Sequence, residues 1–237
     1  ILDIMPEYSA VDLSEATRLL LNRGKLLLDI SRSLQKNEVK DELKFKKFLN
    51  KVVLAMGDAA LMAAGFQGIY YKNKLEQIEQ ITGFQNSEWL IEEYQSAIAF
   101  KFIGDVELLP RDIESYYEEL KEKFLDFYYD FESVRLKKDV HEYHQYFDEI
   151  SQEHTNSSWK KYLRHFYLNL RGFGLSNLDN MNWLGRHPRE RLFAIFPLLI
   201  KSQLSFNESR LVSRLQACDQ NQDICQQKFY QLREKYL

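Results

Sequence analysis

Four groups of residues in this chain of 237 have side chains whose types and spacing suit chemistry. The densest is His141-Glu142-Tyr143-His144, with Asp148, Glu149, Glu153 and His154 downstream. Histidines three apart share a helical face, but the zinc-hydrolase helix sets them four apart with Glu after the first. A charged, solvated helix face accounts for this run better than a metal centre. The second is Arg135 and His141, where an arginine can hold phosphate charge and a histidine can move a proton. The third joins Asn22 and Arg23, set in an apolar stripe, to Asp58, a lone carboxylate in a helix otherwise apolar. A carboxylate so placed is costly unless paired, so Asp58 is expected to meet Arg23, Asn22 or Arg18. The competing reading is a cleft whose polar groups read a ligand. The fourth is Arg186, Arg189 and Arg191, gathered with His187 around a helix start at Pro188. Such a start favours anions: it is either a surface turn pairing local acids or a phosphate or nucleotide contact.

The elements that must carry these residues are helical. With 9 glycines and 4 prolines, the chain lacks the turns that a sandwich or barrel demands. We therefore expect an all-α fold, a bundle of about eight helices. Asp12 and Glu15 have the form of a capping box. Leu13, Ala16, Leu19, Leu20, Leu26, Leu27 and Ile30 follow at helical spacing. A second helix over about 38–64 begins polar and becomes apolar and small around Gly57, so a neighbour can approach it closely. Short helices follow near 72–81 and 86–102. Pro110 opens a stretch without Gly or Pro to Asn156, filled by one or two long helices. Another helix reaches about Arg171, and Pro188 opens one that Pro197 must kink or end. One or two short helices finish the chain. The loop at Gly104–Pro110 divides it into helical subdomains 1–104 and 105–237, packed together.

Composition narrows the function. A net charge of −3 argues against a uniformly basic nucleic-acid binder, and nucleic acid is not an expected partner. The longest apolar run, Leu192–Ile200, falls far short of the ~20 residues of a membrane span, so no membrane partner is expected. Cys218 and Cys225, if one helix carried both, would stand about 10.5 Å apart along it, beyond disulfide reach. Reduced thiols point to the cytoplasm. No phosphate loop, dinucleotide fingerprint or nucleophile elbow occurs, and no metal site or cofactor is expected in this chain.

Four stretches carry a resemblance: Glu15-Ala-Thr-Arg18-Leu-Leu-Leu-Asn22-Arg23, then Lys51 to Gly65 through Gly57-Asp58, then Tyr70-Tyr71 and Ala99-Phe-Lys101-Phe, and last Pro188-Arg189-Glu190-Arg191 to Pro197-Leu-Leu. They resemble the helical C-terminal region of prokaryotic polymerase-β-type nucleotidyltransferase-like proteins, over most of the chain. The motifs are mainly helix-packing signatures. The resemblance implies a substrate-binding or accessory domain for a small molecule or nucleotide. Asn22, Arg23, Asp58, Tyr70, Lys101, Arg186, Arg189 and Arg191 are its candidate binding residues. It also implies a catalytic domain with Gly-Ser, Asp-x-Asp and a third carboxylate that binds Mg²⁺ and a nucleoside triphosphate. That constellation is missing here: Gly57-Asp58 lacks a following Asp-x-Asp, and the segment Gly174 to Asn180 supplies a single carboxylate, Asp179. The start at Ile1 rather than Met leads us to expect the catalytic domain upstream. Two alternatives stand beside this one. The Arg135–His141 spacing resembles that of HEPN-type helical ribonucleases, which act without metal, although the residue after the arginine is usually polar there and is Leu136 here. The other is a helical interaction module, with featureless clefts and an exposed apolar patch.

Overall fold

A computed structural model describes residues 12–36, 42–66, 71–104, 112–152, 158–174, 181–201, 203–216 and 222–237. These are all-α, with no strand among them: ten helices of eight residues or more and one of four. The number exceeds the expected eight or so. The stretch read as one or two long helices is broken at Lys137, and a four-residue helix precedes Pro188. The packing divides the chain at Lys137/Lys138 and not at 104/105. The loop expected at Gly104–Pro110 lies, beyond Gly104, outside the described residues, and the helix over 113–136 packs back onto the first two helices, so both sides belong to one unit.

The first unit holds α1 (Leu13–Gln35), α2 (Glu42–Ala63), α3 (Tyr71–Ile78), α4 (Ser87–Ile103) and α5 (Ile113–Leu136). Asp12 caps α1 by accepting from Ser14 N–H at 2.9 Å, satisfying a donor with no partner inside the helix. Ala16, Leu20, Leu27 and Ile30 recur on one face and are wholly buried, as a period of 3.6 requires. α2 is buried on nearly every side of its second half, from Val52 to Leu61, because α1, α3, α4 and α5 all pack on it. Gly57 is where α4 comes closest: a Cβ there would overlap the Tyr94 ring. Asp112 caps α5, accepting from Glu114 N–H at 3.1 Å and Ser115 Oγ at 2.6 Å. α5 ends at Lys137, a left-handed residue with φ 55°.

The second unit holds α6 (Tyr143–Gln152), α7 (Trp159–Phe173), α8 (Met181–Leu184), α9 (Pro188–Ile200), α10 (Phe206–Gln216) and α11 (Gln222–Tyr236). α9 is its centre, with α6, α7, α10 and α11 packed around it. Every residue from Arg191 to Ile200 is buried. Pro188 occupies the first turn, where its missing N–H costs nothing, and the His187 ring caps the helix. Of the two outcomes expected at Pro197, a kink or an end, the end does not occur. The helix runs on to Ile200 and closes with Lys201 N–H donating to Pro197 O, because burial on all sides outweighs the lost hydrogen bond. α11 begins at Gln222, so it carries Cys225, which is buried, without Cys218, which lies outside the described residues. No helix among the described residues is long and apolar enough to cross a membrane.

Candidate functional site

A groove of about 450 Å³ opens on the first unit, lined from α1, α2, α3 and α4. Helical periodicity builds it. On α2, Lys47, Lys51, Leu54 and Asp58 follow one another at spacings of four, three and four and so fall on one stripe, with Asn50 beside Lys51. Ala97, Phe100 and Lys101 share a face of α4, Gly104 follows as its C-cap, and Leu19 with Arg23 share a face of α1. Tyr71 enters from the first residue of α3. The volume falls within the range of small-molecule sites.

The groove is cationic. Arg23, Lys47, Lys51 and Lys101 line it against one carboxylate, Asp58. None of these four makes an ion pair among the described residues; Lys51 leans over the Phe48 ring at 5.4 Å. Lys101 donates to Tyr71 Oη, with its ammonium 4.2 Å from the ring centre. A recess lined by one sign of charge concentrates field and attracts the opposite sign.

Asp58 does not meet α1. Its Oδ1 accepts from Lys74 Nζ at 2.7 Å and from Tyr94 Oη at 2.6 Å, so its cation comes from α3 and its hydroxyl from α4. The expected partners Arg23, Asn22 and Arg18 are replaced because Lys74 of α3 reaches the carboxylate. Arg18 pairs with Glu15 within its own helix at 3.3 Å. Burial first, and then the Asp58 charge, hold the Tyr94 phenol well above its ordinary range, so Tyr94 stays a donor throughout the working pH range. No bond to Asp58 Oδ2 occurs among the described residues, and the side chain keeps 26 % of its surface exposed.

Of the residues expected to bind, the structure brings Arg23, Asp58 and Lys101 together in this groove. Asn22 is half-buried and does not line it. Tyr70 lies outside the described residues, and its neighbour Tyr71 takes part instead. The three arginines belong to the second unit. Arg186 is buried, donates to Ile150 O and to Ser151 O at 2.7 Å, and stacks on Trp183. Arg191 is wholly buried beneath Leu215 O and against the Phe173 ring at 4.4 Å; burial lowers its pKa to about 10. Arg189 is half-buried, and its backbone N–H donates to His187 Nδ1 at 3.3 Å. Of the two readings of this turn, pairing with local acids has Arg186 Nη1 3.8 Å from Glu190 Oε2 in its favour, although Arg186 and Arg191 are buried and hold helices together rather than lying on a surface turn. Sequence reasoning missed Lys47, Asn50, Lys51, Lys74 and Tyr94. The α2 stripe was there to be read, but its polar half looked like an ordinary solvated helix start.

The other candidates have local partners. Arg135 gives its guanidinium to Glu132, with Nε at 2.9 Å and Nη2 at 2.7 Å. His141, in the second unit, is exposed and sits 2.8 Å from Asp139. No cluster of three or more His, Cys, Asp or Glu able to hold a metal occurs among the described residues; Glu153 and His154 lie outside them, as does Asp179. α7 exposes Trp159 (68 %) and Tyr167 (60 %), an apolar patch of the kind an interaction module needs, although the groove is not featureless. No family model matches the chain, and no curated protein or solved structure is significantly similar to it.

Proposed function

We propose that this chain is the substrate-side helical portion of a nucleotidyltransferase-like protein, and that the first unit holds the acceptor. The observation that carries this reading is the groove in which Arg23, Asp58 and Lys101 meet. These three come from segments that bear the resemblance, and they form a recess large enough for a small molecule. The chain offers no carboxylate set for metal among its described residues. In this reading the catalytic carboxylates, Mg²⁺ and the nucleoside triphosphate belong to a domain upstream, and no chemical step is assigned to residues here. The helical portion positions the acceptor, which lowers the entropic part of the barrier. Small molecules or nucleotides are its partners, not membranes or nucleic acids. We place the protein in the cytoplasm, the reducing compartment that the spacing of its two cysteines along the sequence suits.

The intact gene tests this directly. Gly-Ser followed by Asp-x-Asp should be encoded immediately upstream of Ile1, and the complete product should transfer label from an α-labelled nucleoside triphosphate only with Mg²⁺. A reading frame that starts near residue 1, or an intact product without transfer to any acceptor offered, overturns the reading.

A further inference from the structure

We infer that the groove of the first unit selects a hydroxyl-bearing phosphate ester, its phosphate held among Arg23, Lys47, Lys51 and Lys101 and a hydroxyl donating to Asp58 Oδ2. This names the substrate class of the site proposed above and rests on that reading only for what the ligand is later used for. Three observations meet here. First, four cations face the recess and none is neutralised by a carboxylate among the described residues, a surplus that a dianion satisfies and a neutral ligand does not. Arg23 supplies a planar fork suited to phosphate, and the lysines supply point charges.

Second, Asp58 is half satisfied in a particular way. Lys74 and Tyr94 both address Oδ1, which fixes the carboxylate plane and leaves the acceptor sites of Oδ2 for a donor from outside. Lys74 also balances the carboxylate charge, so a hydroxyl suffices and a cation is not required. Third, the two ends are spaced. From Lys51 to Asp58 the α2 axis rises about 10 Å, and Leu54 and Ala55 lie between, faced by Ala97 and Phe100. The ligand therefore has a charged end, a less polar body and a hydroxyl end. Inorganic phosphate fills only the first, and a free sugar only the last.

Calorimetric titration of the 237-residue chain separates these cases, with glucose 6-phosphate, adenosine monophosphate, inorganic phosphate and glucose as probes. At least one ester should bind ten times more tightly than inorganic phosphate, and glucose should not saturate. Which ester wins tells a sugar phosphate from a nucleotide. Asp58→Asn should weaken that ester about tenfold and leave inorganic phosphate unchanged. Lys51→Glu, on an exposed residue, should abolish both and serves where Asp58→Asn impairs folding. Esters that bind no better than inorganic phosphate, or no binding by either ester, overturn the inference. Affinity indifferent to Lys51→Glu does the same. The outcomes stay distinct from those of the gene test: binding here with no catalytic domain upstream leaves the ligand class standing, and transfer by the intact protein without ester binding removes only the ligand class.

Discussion

Glu132 has no exposed surface and accepts from Thr17 Oγ1 at 2.5 Å as well as from Arg135. Removing one partner of a buried ion pair leaves the other group without compensation. Arg135→Ala should therefore cost about 3–5 kcal/mol, seen as a lower urea midpoint, and the paired change Glu132→Gln with Arg135→Met should cost less. An unchanged midpoint in Arg135→Ala would show that the pair does not hold α5. Gly57 makes a different prediction. Alanine is the better helix former by about 1 kcal/mol, yet its Cβ would overlap Tyr94, which is wholly buried and cannot retreat. Gly57→Ala should be destabilising by about 1–3 kcal/mol in thermal melts, and a stabilised variant would contradict the close approach of α4.

At the scale of the element, the start of α9 is tuned by His187. The ring accepts from Arg189 N–H through Nδ1, which only an unprotonated nitrogen can do. Burial first, then the charges of Arg189, His165 and Arg164, lower its pKa to about 4 from the ordinary 6.5. A depressed histidine contributes stability that is present above the unfolded value and is lost as pH falls toward the folded one. Between pH 6.5 and 4 the melting temperature should thus decline partly through this group. His187→Asn keeps a side-chain acceptor at the cap and removes the titration, so its decline over that window should be shallower. Parallel curves for the two proteins would exclude His187 as the cause.

At the scale of the whole molecule, burial among the described residues is densest in α9 and, in the first unit, in the second half of α2. α2 is buried from Val52 to Val53 and from Ala55 to Gly57, and α9 from Arg191 to Ile200. Residues 158–164, at the start of α7, are all exposed. Amide exchange tracks the free energy of local opening. Deuterium uptake should be slowest in α2 and α9 and fastest, among helical peptides, at the start of α7. Equal protection of α7 and α9 would show that opening is global.

Much of this organisation could be read from the sequence alone. The scarcity of glycine and proline set the class, because strands need turns that this chain does not supply. Asp12 and Pro188 marked helix starts, since backbone donors without partners have few solutions. The small residues around Gly57 announced a close helical neighbour, and Tyr94 is that neighbour. Arg23, Asp58 and Lys101 stood out as polar residues in apolar or motif-bearing segments, and they share one groove. Tertiary structure alone decided which partner each charge took. Asp58 could have met any cation within reach, and Lys74 won from another helix. Arg186 and Arg191 carry the same guanidinium as Arg23, yet they are buried against carbonyls and rings while Arg23 faces a recess. Pairing is a matter of distance in space between residues far apart in the chain, which periodicity along one helix does not encode. The division at Lys137 has the same origin: α5 belongs to the first unit because its apolar face finds α1 and α2, and no local signal separates it from the helix that follows.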